Sequence, residues 1–375
     1  MKTTRIAATA ALIAAAAIGL SACASSGASS SPSGSGTSTS GSGAALSGTI
    51  TAGGSSAQAN VQTAWTTGFT AANAGVKVNY DKSQGSGGGV TNFLAGSYDF
   101  AGTDASLKPD QFTKAKTTCG ADGALDIPVY LSGVAIIYNL PGVTGLKLDA
   151  TTIAKIFAGK ITTWNDPAIA ALNSGATLPG TAITVVRRSD GSGTTANFTT
   201  YLHQQDPTDW SWAAGTAWPT IPGDKSSGQQ GGSGVVGAVT AGSGTIGYAD
   251  QSAIGTATAA QIEVGTSGTF VDYSASGATA AFDAAAQDAS QGAGDLTVSL
   301  DYTKIMATSA YPIPLLSYDV VCKTFKNAAQ GALTKAYLTY VTSSAGQQLA
   351  AANAGAAPLP DSTLTKIAAS LAEVK

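Results

Sequence analysis

Val185-Val186-Arg187-Arg188-Ser189-Asp190-Gly191-Ser192-Gly193-Thr194-Thr195 is the stretch from which the rest of the chain is read. Two β-branched residues end a strand, two arginines follow, and a turn of Ser, Asp and Gly leads into a helix through Asn197, Phe198 and Tyr201. Such a turn presents free backbone N–H groups at a helix N-terminus, which attracts an anion. Ser192 and Thr194 add hydroxyl donors, and Arg188 adds a rigid cationic fork. The stretch is expected to hold one face of a small tetrahedral oxyanion, with phosphate the first candidate. Alone the signal is weak, because a Ser-Gly turn before a helix also serves as a plain cap.

The same unit recurs upstream. Residues 46–52 alternate as a strand, stop at Gly53-Gly54-Ser55-Ser56-Ala57, and give way to Val61, Trp65, Phe69 and Ala72 at helical spacing. Residues 76–80 read as a second strand, running through Gly85-Ser86-Gly87-Gly88-Gly89 into a helix with Val90, Phe93 and Leu94. Consecutive glycines cap poorly, and they make sense where backbone must approach something closely. Asp104 follows Tyr98-Asp99-Phe100-Ala101-Gly102-Thr103, amid small residues. An ionised carboxylate only accepts hydrogen bonds. In an anion pocket it would repel a fully ionised guest such as sulfate and accept the proton of hydrogen phosphate. A solvated turn aspartate is the alternative.

The wider composition limits the choices. The chain has 375 residues, 43% hydrophobic and only 11% charged, with a net charge of −3. Two lobes with sizeable cores fit that length, and no basic field draws in nucleic acid, so an anion site must be local. Residues 1–22 read as an export signal: Lys2 and Arg5, an apolar run, then Leu20-Ser21-Ala22-Cys23. That ending resembles a bacterial lipobox, with Cys23 lipidated after cleavage. Residues 23–45 then form a Ser/Gly tether without apolar residues enough for a core. Cys119 and Cys322 remain, an even pair in an oxidising setting, expected as a disulfide rather than two buried thiols.

Other features are read as structural. Gly232-Ser233-Gly234-Val235-Val236-Gly237 spells a dinucleotide pattern but lacks the preceding strand and the downstream acid, so it is expected to open a helix. No GxxxxGK[ST] loop and no His/Cys cluster occur, so no cofactor and no metal are expected. Trp210, Trp212 and Trp218 are expected in packing. Ser192 and His203 lack a third partner for nucleophilic catalysis, so no enzyme activity is expected. The apolar, β-rich residues 125–139 and 311–321 are expected to cross between the lobes. Residues 328–349 and 362–374 are helical by pattern.

Taken together, Ala52-Gly53-Gly54-Ser55-Ser56-Ala57, Gly85-Ser86-Gly87-Gly88-Gly89-Val90, Asp99-Phe100-Ala101-Gly102-Thr103-Asp104-Ala105, Gly159-Lys160-Ile161-Thr162-Thr163-Trp164 and Arg187-Arg188-Ser189-Asp190-Gly191-Ser192-Gly193-Thr194 resemble, in order, the phosphate-binding lipoprotein or periplasmic protein of the bacterial high-affinity phosphate ABC importer. The resemblance covers residues 46–374. It implies an α/β, two-lobed periplasmic-binding-protein fold of type II, with two crossing strands as hinge and ligand in the interlobe cleft. Lobe I would span residues 46–127 plus 309–375, and lobe II residues 128–308. Ser56, Ala57, Ser86 and Asp104 would meet phosphate from the first lobe, and Arg188, Ser192, Gly193 and Thr194 from the second. Asp190 would brace Arg188. The family often has Thr-Phe where this chain has Ser56-Ala57. The implied partners are inorganic phosphate, the permease and ATPase subunits of the importer, and the outer face of the cell membrane through a lipid anchor. The alternatives are a binder of another tetrahedral oxyanion (sulfate, molybdate), a secreted serine hydrolase, or a structural cell-surface protein.

Overall fold

The computed structural model describes residues 45–375 apart from 267. The expected export signal, Cys23 and all of the tether but residue 45 lie outside the described residues. Among the described residues no helix is long and apolar enough to cross a membrane.

A mixed sheet organises the chain. Its strands run, in spatial order, Gly75–Asp81, Ser47–Gly54, Phe100–Thr103, Pro314–Cys322, Ala124–Asn139, Thr245–Asp250, Thr184–Arg188 and Ser227–Gln229. The outer pairs at both ends are parallel, and the central ones are antiparallel. Ala124–Asn139 is the common member. Ala124 to Gly133 pairs with Pro314–Cys322, and Val134 to Asn139 pairs with Thr245–Asp250. Nearly all of its residues are buried, as its unbroken apolar run requires of a strand covered on both faces. This change of partner within one strand joins the two α/β lobes, and Pro314–Cys322 lies beside it as the return strand.

Helices cover each half. On one side Trp65 and Phe69 of helix Ala59–Ala72 pack with Phe100 and Tyr337, the Phe69 and Tyr337 rings meeting edge-on at 5.3 Å. On the other, Phe157, Phe198, Trp218 and Tyr248 form one aromatic stack, with Trp210 beside Trp218 at 5.3 Å. The tryptophans therefore pack, as expected. Cys119 and Cys322 form a disulfide with 5.1 Å between Cα atoms, tying the helix Pro109–Cys119 to the end of the return strand. Closing so long a loop stabilises by up to roughly 5 kcal/mol on chain-entropy grounds.

Three local expectations are corrected. Arg187 and Arg188 belong to the strand Thr184–Arg188 rather than following a strand that ends at Val186. The glycines from Gly85 onward form the first turn of the helix Gly85–Leu94 rather than a loop before it. Residues 328–349 are not one helix: Ala328–Val341 ends and Ser344–Ala354 begins, because the Ser343 hydroxyl accepts the Gly346 N–H and caps a new start.

Candidate functional site

Open α/β sheets place their ligands beyond the carboxyl ends of parallel strands. Here the strands Ser47–Gly54, Phe100–Thr103 and Thr184–Arg188 end around one point. Asp104, one residue past its strand, occupies that point and is 3% exposed.

Five residues fix Asp104. Its Oδ1 accepts from Ser55 Oγ at 2.5 Å and from Ser317 Oγ at 2.7 Å. Its Oδ2 accepts from Thr194 Oγ1 at 3.1 Å. Its carbonyl accepts from Asn197 Nδ2 at 2.6 Å, and its N–H donates to Ser86 Oγ at 3.3 Å. Burial pushes the carboxyl above its ordinary range. The hydroxyls of Ser55 and Ser317, the charge of Arg188 and the Thr194 hydroxyl pull it back without cancelling the shift.

The opposite wall carries the cation. Arg188 Nε donates to Asp190 Oδ1 at 2.7 Å, and Nη2 donates to Asp190 Oδ2. Asp190 Oδ1 also accepts the Gly231 N–H at 3.1 Å. Burial alone would raise the Asp190 carboxyl, but the Arg188 fork and its charge, with the Gly231 N–H, hold it below its ordinary range. Both side chains are nearly inaccessible.

Helix starts supply the donors. Ser192 caps the helix Gly193–Gln205, its Oγ accepting the Thr195 N–H at 3.1 Å. The backbone N–H groups of Gly193 and Thr194 precede the first intrahelical bond and take no partner among the described residues. Gly193 has no room for a side chain, because a Cβ there would stand 2.7 Å from the backbone of Asp104. Gly85, at φ +63°, is equally constrained: a Cβ would meet Asp190 Oδ2 at 2.3 Å.

The lobes touch directly around this centre. The Gly87 N–H donates to Gly191 O at 2.9 Å, Gln230 Nε2 to Ser83 O at 2.8 Å, and Asn60 Nδ2 to Ser252 O at 2.7 Å. Ser56 Oγ accepts the Gly232 N–H at 3.0 Å, so this side chain spans the cleft. The Ala57 N–H, expected to face the ligand, donates to Ser55 Oγ at 3.1 Å. Ser86, Asp104, Arg188, Asp190, Ser192, Gly193 and Thr194 are thus drawn into one buried cluster.

Sequence reasoning missed Ser55, Ser317 and Asn197, each bonded to Asp104. It expected a helix to open at residues 232–237, as Gly231–Ala241 does, but gave that helix start no part in the site, where its first N–H groups bond Asp190 and Ser56. Ser192 and His203 lie eleven residues apart on one helix, roughly 16 Å along its axis, and His203 is exposed near Trp210 O. The described residues hold no group of three or more His, Cys, Asp or Glu placed for a metal.

Comparison with known proteins places the chain in a family. A model of the PBP superfamily domain matches residues 37–345. The phosphate-binding protein PstS 3 of Mycobacterium leprae is 35% identical over 329 residues, covering 85% of each chain. That of Mycobacterium tuberculosis (strain ATCC 25618 / H37Rv) is 37% identical over 321 residues, covering 84% of this chain and 83% of the relative. In fold, the phosphate-binding protein from Stenotrophomonas maltophilia superposes with a TM-score of 0.64 at 22% identity, over 86% of this chain and 93% of that one.

Proposed function

The chain belongs to the phosphate-binding proteins of the PBP superfamily, and on that footing we propose that its interlobe cleft holds inorganic phosphate between Asp104 and Arg188. It is an extracytoplasmic solute-binding subunit of a phosphate ABC importer and not an enzyme. The N–H groups of Ser56, Gly193 and Thr194, the hydroxyls of Ser56, Ser86 and Ser192, and the Arg188 guanidinium donate to the anion, while the Ala57 N–H stays on Ser55 and the Thr194 hydroxyl on Asp104. Asp190 holds the guanidinium flat and takes up part of its charge.

One observation carries the choice of anion. A carboxylate has about four acceptor positions. Asp104 Oδ1 receives two hydroxyl donors and Oδ2 one, which leaves an acceptor position on Oδ2. In a pocket otherwise made of donors, that position favours a guest still carrying a proton. Hydrogen phosphate carries one at neutral pH, and sulfate and molybdate do not.

The division into residues 46–127 with 309–375 and residues 128–308 accounts for delivery. Phosphate bridges both lobes, so it binds the closed form better than the open one, and the differential affinity drives closure. The bonds from Gly87 to Gly191 and from Gln230 to Ser83 belong to that closed form. A membrane permease recognises the closed surface, and a separate ATPase subunit supplies the energy. Cys23 carries the lipid that keeps the protein at the outer face of the cell membrane.

Calorimetric titration with phosphate and with sulfate tests the reading. Tight phosphate binding with sulfate excluded is expected. Equal binding of the two anions, or none of either, sinks it. Ester hydrolysis abolished by Ser192→Ala would instead support the hydrolase.

A further inference from the structure

Behind Asp104, away from the ligand side, the core contains a line of buried polar side chains that all donate in one direction. The Tyr337 hydroxyl donates to Gln62 Oε1 at 2.8 Å, and Gln62 Nε2 to Gln58 Oε1 at 2.8 Å. Gln58 Nε2 donates to Ser317 Oγ at 2.8 Å, and Ser317 Oγ to Asp104 Oδ1 at 2.7 Å. All five residues are at most 3% exposed.

The direction is forced by one neighbour. Gln58 Nε2 also lies 2.9 Å from the carbonyl of Tyr318, which can only accept. The amide nitrogen must therefore face that carbonyl and Ser317, and it donates to both. With its lone pair occupied by the amide, the Ser317 hydroxyl sends its proton to Asp104 at 2.7 Å rather than to the more distant Thr103 carbonyl at 3.2 Å. Ser55 is directed the same way, because its Oγ accepts the Ala57 N–H and its proton goes to Asp104. A head-to-tail chain of this kind polarises each successive bond.

We infer that Gln58 and Ser317 are positioning residues that keep Asp104 Oδ1 filled with donors, so that Oδ2 alone meets the ligand and any proton Asp104 gains is carried there. Its consequence for anion choice rests on the phosphate reading above, whereas the control of Asp104 does not. Asp319 lies near the far end, where burial pushes its carboxyl up to about 8, and Gln62 Nε2 approaches its Oδ2 only to 3.5 Å. The other groups that act on Asp104 are Arg188 at the end of Thr184–Arg188, Asp250 at the end of the adjacent Thr245–Asp250, and the Tyr80 phenol on the outer strand. All remain in place when the relay is cut.

The test follows the Asp104 carboxyl by carbon-13 NMR titration of the full folded domain, in the original protein and in Ser317→Ala, Gln58→Leu and Tyr337→Phe. Removing one donor from a charged acceptor is expected to move the Asp104 midpoint up by roughly one to two pH units in Ser317→Ala. Gln58→Leu should move it less, and Tyr337→Phe least. Sulfate binding should appear at a correspondingly higher pH in Ser317→Ala. A merely structural role would instead weaken phosphate binding equally at every pH and leave the midpoint unmoved. That result in a folded Ser317→Ala overturns the inference. Should Gln58→Leu fail to fold, Ser317→Ala and Tyr337→Phe still decide. A shifted midpoint in a protein that binds no phosphate keeps the relay and removes the proposed function.

Discussion

Two buried carboxylates face each other across the cleft, and the chain treats them oppositely. Asp190 is clamped by the Arg188 fork and the Gly231 N–H and is drawn below its ordinary range. Asp104 has no guanidinium bonded to it. Three hydroxyls solvate it, and burial still pushes it up. One carboxylate is used to orient a cation and dilute its charge. The other is kept as an acceptor. Such a pocket attracts anions through Arg188 and the helix starts, then sorts them through Asp104. Identical side chains acquire different roles from what donates to them.

Breaking the first arrangement should have the largest effect. Arg188→Ala removes the cation and leaves Asp190 buried without its counter-ion, which costs about 3–5 kcal/mol. Phosphate affinity should fall by roughly a thousandfold in calorimetry, with a lower melting temperature. A loss below tenfold would mean that the helix N-termini hold the anion unaided.

Asp104→Asn removes the acceptor from the second. Phosphate loses a hydrogen bond to a charged group, about 1.5–3 kcal/mol, or roughly ten- to a hundredfold in affinity. Sulfate should gain, because an amide donor replaces a repelling charge. Competition between the two anions in one titration reads the change. Sulfate still excluded would place the selection outside Asp104.

Gly193→Ala leaves both carboxylates intact and tests whether they must come together. The added Cβ would press on the Asp104 backbone at 2.7 Å. Holding the lobes apart by that much should weaken phosphate binding by roughly tenfold, in keeping with the cost of overpacking. Small-angle scattering should show incomplete compaction at saturating phosphate.

How much of this was legible depends on how local the chemistry is. The Arg188–Thr194 turn could be read because a strand end, hydroxyls and glycines sit within a few residues of one another. The crossing strands were visible as unbroken apolar runs. The change of partner after Gly133 was not, because the same residues would suit either neighbour. Ser317 was hidden inside one such run. It reaches Gln58 across 259 residues only because Pro314–Cys322 pairs with Phe100–Thr103 and places Tyr318 opposite Thr103. One hint was available. Gln58 and Gln62 share the buried side of the helix with Val61, Trp65 and Phe69, and an amide in an apolar stripe needs a partner.

Acidification sharpens the comparison without changing a residue, and its effect should be the smallest. Asp104 has a raised value in the folded state, so the native protein holds that proton more tightly than the unfolded chain. Its ionised form is lost as pH falls through a point above the ordinary carboxylate value of about 4. Asp190 has a lowered value, so its stabilising pair is fully present above the ordinary range and disappears only below it. Between the two midpoints Arg188 is still braced while Asp104 carries a proton on Oδ2 and becomes a donor. Sulfate should therefore begin to bind in that window, gaining at most about tenfold per pH unit, while thermal unfolding shows no loss of the Arg188–Asp190 pair. Sulfate binding that appears only with a simultaneous fall in stability would show that the two carboxylates titrate together, and the division of roles between them would fail.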